Sequence, residues 1–322
     1  HWHSIHNSFE SYWKGVLSHD LLPNRTYHEL AAWRKEMLPL EEKLINLKKH
    51  CEAAILVDNA SLTGLDEFPI GEEEHLSYNQ ILRRIYDSLY EMNIEADLLS
   101  VEDDFTAFKL LIVPALYSAS EKTLEKIRKY VENGGHLLLT FKSAFSDEEL
   151  KIYHDAQPHL LTDVVGATYD QFTKPVDVTV SLDGKNYTVT NWMEMVRPET
   201  AEVWAFYAHK YWKDFAAITH KKYGNGSAAY LGCYLEKDGM KALFRRLLPL
   251  AEIALPDIEF PVIRKAGKND AGKQIQYFFN YSSKPHTFHY RGSDTVNLLT
   301  GEAVSDGTQI ELGDWDLIIL EG

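Results

Sequence analysis

Ala53-Ala54-Ile55-Leu56-Val57 is an unbroken apolar run of five residues. A strand with one wet face alternates apolar and polar residues, so a continuous short run belongs to a strand covered on both faces. Leu110-Leu111-Ile112-Val113, ended by Pro114, and His136-Leu137-Leu138-Leu139-Thr140-Phe141 repeat the pattern, and Ala96-Asp97-Leu98-Leu99 reads as a further strand. Between them lie helical periods. Tyr78 to Met92 carries Ile81, Leu82, Ile85 and Leu89 at three- and four-residue steps. Glu121 to Val131 follows the capping residue Ser120 and stops at Asn133-Gly134-Gly135, where a left-handed helix end wants glycine. Strands alternating with helices predict βαβ units, hence an α/β fold with a doubly wound parallel sheet.

Working outward, Tyr27 to His50 reads as a helix with an apolar face of Leu30, Trp33, Met37, Leu40, Leu44 and Leu47, which Pro39 should kink or split. Residues 58–71, with Gly64, Pro69 and Gly71, read as a loop. Residues 160–254 continue the domain less regularly. Asp183-Gly184 and Tyr223-Gly224-Asn225-Gly226 each sit between two strand-like runs and signal hairpins, and Met240 to Leu250 reads as a closing helix. Residues 255–322 have short alternating runs separated by Ser282-Ser283, Gly292, Gly301, Asp306-Gly307 and Gly313, which predicts a small antiparallel β domain.

The 322 residues are 45% hydrophobic with a net charge of −15, so a sizeable core is expected and neither nucleic acid nor an anionic membrane is an expected partner. The two cysteines, Cys51 and Cys233, form neither a disulfide framework nor a zinc spacing, which points to a reducing, cytoplasmic setting. No apolar run is long enough for a membrane span. Asn24, Asn186 and Asn280 head N-x-Ser/Thr sequons, which carry meaning only in a secreted protein. The opening His1-Trp2-His3-Ser4-Ile5-His6 is apolar and aromatic where an N-terminus is usually polar, and reads as a cut through a larger fold.

Glu10 sits among Trp2, Phe9, Tyr12 and Trp13. Rings stack on the apolar face of a pyranose while an ionised carboxylate accepts from its hydroxyls, so the group reads as a sugar grip or as a surface acid beside core aromatics. His1 and His3 share a strand face, either as metal ligands or as polar residues around a barrel mouth; with no third ligand evident, no metal is expected. The aromatics Trp204, Phe206, Tyr207, Tyr211 and Trp212 read as a second platform or as strand packing. Asp58-Asn59-Ala60-Ser61-Leu62-Thr63-Gly64 is neither a dinucleotide turn nor a P-loop. Doubly wound folds also host cysteine-nucleophile amidotransferases, but Lys142-Ser143-Ala144 follows the fourth strand, and neither cysteine occupies the nucleophile's place. The sheet domain therefore reads as a scaffold whose helices offer a subunit interface.

His1 to Asp20, then Asn24-Arg25, Tyr27 and Glu29, resemble the segment leaving the eighth barrel strand of family-42 β-galactosidases. Residues 51–254 are similar to that family's flavodoxin-like trimerisation domain. Phe279-Asn280-Tyr281-Ser282 and Leu298-Leu299-Thr300-Gly301 resemble its C-terminal β domain. The resemblance implies three parts: 1–50 as the last strand and helix of a truncated (β/α)8 barrel, 51–254 as trimerisation domain, and 255–322 as β domain. It implies the C-terminal part of a retaining β-galactosidase acting on terminal β-D-galactosides, a homotrimer without a cofactor. Glu10 matches the glutamate that holds galactose hydroxyls, and Trp13 stands where many members have a histidine for the same task. The family's two catalytic glutamates, about 5 Å apart in a retaining mechanism, match no residue of this chain, which alone should not hydrolyse. The other reading is a non-catalytic assembly or carbohydrate-binding module.

Overall fold

A computed structural model describes residues 15–70 and 76–322. The chain divides into two compact units, one of residues 1–49 with Arg264–Gly322 and one of His50–Ile263. Glu10, Trp13, His1, His3 and the barrel strand expected at the start of the chain lie outside the described residues.

The His50–Ile263 unit is built on a mixed sheet. Across it run Cys233–Leu235, Lys185–Glu194, Thr179–Leu182, Glu202–Ala208, Ala216–Tyr223, Gly226–Leu231, His136–Thr140, Leu110–Val113, Ala53–Val57 and Ala96–Ser100. The last five pair in parallel, and the rest pair antiparallel. The continuous apolar runs are explained by the two faces. Ala53, Ile55, Leu110, Ile112 and Leu138 enter one core with Ile81, Ile85 and Leu89 of helix Tyr78–Glu91 and Leu243 and Leu247 of helix Lys237–Leu250. Ala54, Leu56, Leu111, Val113, Leu137 and Leu139 enter the other with Leu124, Ile127 and Val131 of helix Glu121–Glu132. The period of two divides each run between two dry layers.

Local chemistry sets the element ends. Ser77 and Gln80 form a reciprocal capping box on Tyr78–Glu91. The Ser120 side chain accepts from Thr123 N at 3.1 Å. Ser120→Ala should therefore cost about 1 kcal/mol in a urea titration; a loss below a few tenths would show that tertiary packing, not the cap, holds this helix start. Asp183 (φ 50°) and Gly184 (φ 77°) both take positive φ, the conformation that a tight two-residue hairpin requires.

The expected loop after Val57 is instead a helix, Asn59–Glu67. Asp58 caps it, accepting from Ser61 N at 2.6 Å. Gly64, which argued for a loop, is there for packing: a Cβ would stand 2.8 Å from side-chain atoms of both Tyr117 and Leu150.

In the other unit, Asn24 caps helix Arg25–Met37, which gives way at Leu38–Leu40 to the short helix Glu41–Leu44, so Pro39 does split the helix. Its apolar stripe is not buried within the described residues, and Trp33 is 56% exposed. The tail forms a five-stranded sheet (Val262–Lys268, Gln274–Asn280, Leu317–Glu321, Thr295–Asn297, Ala303–Val304) and a two-stranded ribbon of His286–His289 with Gln309–Leu312. Lys48 pairs with Lys268, and Lys43 Nζ lies 2.6 Å from Glu321 Oε2.

Candidate functional site

The late aromatics do not make one platform. Trp204 stacks on His220 at 4.4 Å with the Arg246 guanidinium over its ring. Tyr207 is buried, its hydroxyl 2.9 Å from the Glu194 carbonyl, while Phe206 and Tyr211 are exposed. Of the sequons, Asn280 is buried, and its amide nitrogen donates to the carbonyls of Lys284 and Gly313, which leaves no room for a glycan. Neither cysteine is in a disulfide and both are buried, and burial pushes the Cys233 thiol well up, consistent with an inert side chain.

The most unusual chemistry lies just past the carboxyl end of strand His136–Thr140. Lys142 turns sharply there with φ 60°, and its side chain is buried. The ammonium faces rings: Phe145 at 4.2 Å, Trp192 at 4.5 Å, Phe172 at 5.0 Å and Tyr117 at 5.3 Å to the centroids. Such contacts favour the cation through the ring quadrupoles. Behind it lies Glu194, fully buried at the end of strand Lys185–Glu194. Three donors converge on this carboxyl group: Tyr230 Oη at 2.6 Å, Lys142 N at 2.9 Å and Trp192 Nε1 at 3.2 Å. Burial raises Glu194 to about 7 against these hydrogen bonds. Burial lowers Lys142 to about 8, and the Glu194 charge opposes that.

Sequence reasoning missed this pair. The signals were present: an acid inside Trp192-Met193-Glu194-Met195 and a lysine closing a run of leucines. The partners are 52 residues apart, however, and only the sheet brings them together. The turn has the place that a nucleophile takes in doubly wound amidotransferases, but it holds a caged cation. Its chemistry ties the parallel half of the sheet to the antiparallel wing.

Next to this centre is a cleft of about 440 Å³. Phe145 and Phe172, two rings of the Lys142 cage, form part of its wall beside Tyr153, Gln157, Asp170 and Arg197. Arg197 Nη1 lies 2.7 Å from Asp170 Oδ2. His159 stacks on the cleft residue Tyr153 at 3.6 Å and turns its Nδ1 to Asp155 at 2.7 Å. No group of three or more His, Cys, Asp or Glu arranged to hold a metal occurs among the described residues. No helix among them is long and apolar enough to cross a membrane.

The fold thus comprises a mixed α/β scaffold and small antiparallel sheets. Residues 51–254 match the family model of the β-galactosidase trimerisation domain, and the chain belongs to that family, within glycoside hydrolase family 42. The chain is similar to β-galactosidase LacZ of Lactobacillus acidophilus, 27% identical over 317 residues, covering 97% of this chain and 47% of the relative. It is 29% identical over 241 residues to β-galactosidase BgaB of a Geobacillus species, covering 72% of this chain and 35% of that one. The chain spans about half the length of the curated relatives it matches. Among solved structures, a β-galactosidase from Bacillus circulans sp. alkalophilus superposes with TM-score 0.90 at 24% identity, over 99% of this chain and 48% of that one. One from Rahnella sp. R3 gives 0.86 at 19% identity, over 100% and 48%. These two likenesses speak to the fold. Nothing in the comparisons favours the independent-module reading.

Proposed function

We propose that this chain is the C-terminal portion of a retaining β-galactosidase acting on terminal, non-reducing β-D-galactosides. It supplies the oligomerisation domain, a C-terminal β domain and one edge of the galactose subsite. The observation that carries the reading is the family match over 51–254, flanked on both sides by sequence that aligns with β-galactosidases in the same order. The division at 1–50, 51–254 and 255–322 follows from that order, with residues 1–50 as the end of a (β/α)8 barrel. The α/β unit is flavodoxin-like, and its assembly is a homotrimer in the cytoplasm.

Glu10 is the galactose-holding glutamate, accepting from sugar hydroxyls, and Trp13 supplies a ring or an indole donor beside it. In a retaining mechanism, the acid/base and the nucleophile would come from barrel strands that this chain does not match. The 322-residue chain alone is expected to release no galactose from a chromogenic β-galactoside. In the longer protein, Glu10→Gln should lower kcat/KM by roughly 10- to 100-fold, the worth of one or two hydrogen bonds to a charged group. Release of galactose by the chain alone, or unchanged kcat/KM in the variant, overturns the assignment. Light scattering tests the assembly, for which a trimer is expected.

A further inference from the structure

We infer that the cleft walled by Phe145 and Phe172 binds a neutral, polyhydroxylated small molecule of about monosaccharide size. This goes beyond the galactosidase reading and does not rest on it. The position comes first. The cleft opens on the segment after the carboxyl end of strand His136–Thr140, and doubly wound sheets bind ligands outside strand carboxyl ends. The volume, about 440 Å³, lies in the small-ligand range.

The lining then selects the chemistry. Phe172 is partly exposed, so its ring is open to an apolar CH face. Gln157 is only 8% exposed, its Nε2 donates to the Tyr153 carbonyl, and its Oε1 has no partner. A buried acceptor left unmatched is costly, and a small turn of the Gln157 amide toward the cleft would let a ligand hydroxyl satisfy it. The guanidinium of Arg197 is already matched by Asp170, and Asp155 adds a second carboxylate, so an anion is disfavoured. Aromatic rings with carboxylate, amide and guanidinium groups at one edge suit a molecule that is apolar on its faces and carries donors and acceptors around its rim. A hexose has that form.

The test uses the full chain with tryptophan labelled with nitrogen-15. Trp192 stacks on Phe172 at 4.4 Å and donates to Glu194, so its indole signal reports the cleft. Titration with D-galactose and D-glucose is expected to shift that signal saturably. Gln157→Leu should weaken the binding about fivefold or more, the worth of one hydrogen bond. Arg197→Met, on the exposed rim, should weaken it as well, while Glu10→Gln leaves it unchanged. The inference is overturned by no shift with either sugar at millimolar concentration, by an affinity in both cleft variants unchanged from that of the original chain, or by loss in Glu10→Gln. It is also overturned if choline or inorganic phosphate shifts the signal and the sugars do not.

Discussion

Glu194→Leu is expected to destabilise the fold by about 3 kcal/mol or more, since each buried donor left without its acceptor costs about 1–3 kcal/mol. The change strips an acceptor from Tyr230 Oη, Lys142 N and Trp192 Nε1 at once. It also leaves the Lys142 ammonium with only its rings to offset desolvation. Urea titration measures the effect, and a loss under 1 kcal/mol would show that the carboxyl group is not what holds this turn. Adding Lys142→Met should recover part of the loss, because the unmatched cation is then gone.

The same pair shapes the pH dependence. Glu194 rises from 4.5 to about 7 in the fold, so between those values the folded state keeps a proton that the unfolded chain has released. Its contribution to stability therefore falls as pH rises through that window. Lys142 drops from 10.5 to about 8, so between 8 and 10.5 the unfolded chain holds the extra proton, and stability rises with pH there. The pair's contribution is least between about 7 and 8. Urea midpoints across pH 5 to 10 should lose this dip in a Glu194→Gln, Lys142→Met double variant. A dip of the same depth in that variant assigns it to other groups.

Gly226→Ala should cost about 3 kcal/mol or more, at the upper end for overpacking. The Cβ would stand 2.1 Å from the carbonyl oxygen of Gly135 and 2.5 Å from that of Val131. Both are backbone atoms at the end of helix Glu121–Glu132, so no flexible side chain can yield. Gly184→Ala is the contrast: nothing lies within 4 Å, and only the positive φ of 77° is unfavourable, for about 1 kcal/mol. Thermal melts of the two variants decide the point. Near-equal losses would mean that the contact at Gly226 relaxes by moving the helix end.

The parallel strands were legible in the sequence because burial on both faces leaves an unbroken apolar run, as in Ala53–Val57. The helices at Tyr78 and Ser120 were legible through their period, the second also through its cap, and the Asp183-Gly184 hairpin through its turn residues. The family was legible from ordered motifs along the whole chain. Helix Asn59–Glu67 was not, since Gly64 is a turn signal until the approach of Tyr117 and Leu150 explains it. Nor did the sequence show that the later hairpins extend the same sheet, because that depends on pairing across long separations. Thr219 lies opposite Tyr230, and Ala229 lies opposite Leu138.

By itself, then, the sequence determined what is decided locally: element type, periodicity, caps, turns and the family likeness that points to Glu10 and Trp13. The tertiary structure alone decided where a lone acid and a lone lysine meet, and that four rings from separate segments close around the cation. The physical reason is that a buried charge is tolerated only when distant residues supply its hydrogen bonds and its cage at the same time. That condition belongs to the packed sheet and to no stretch of chain.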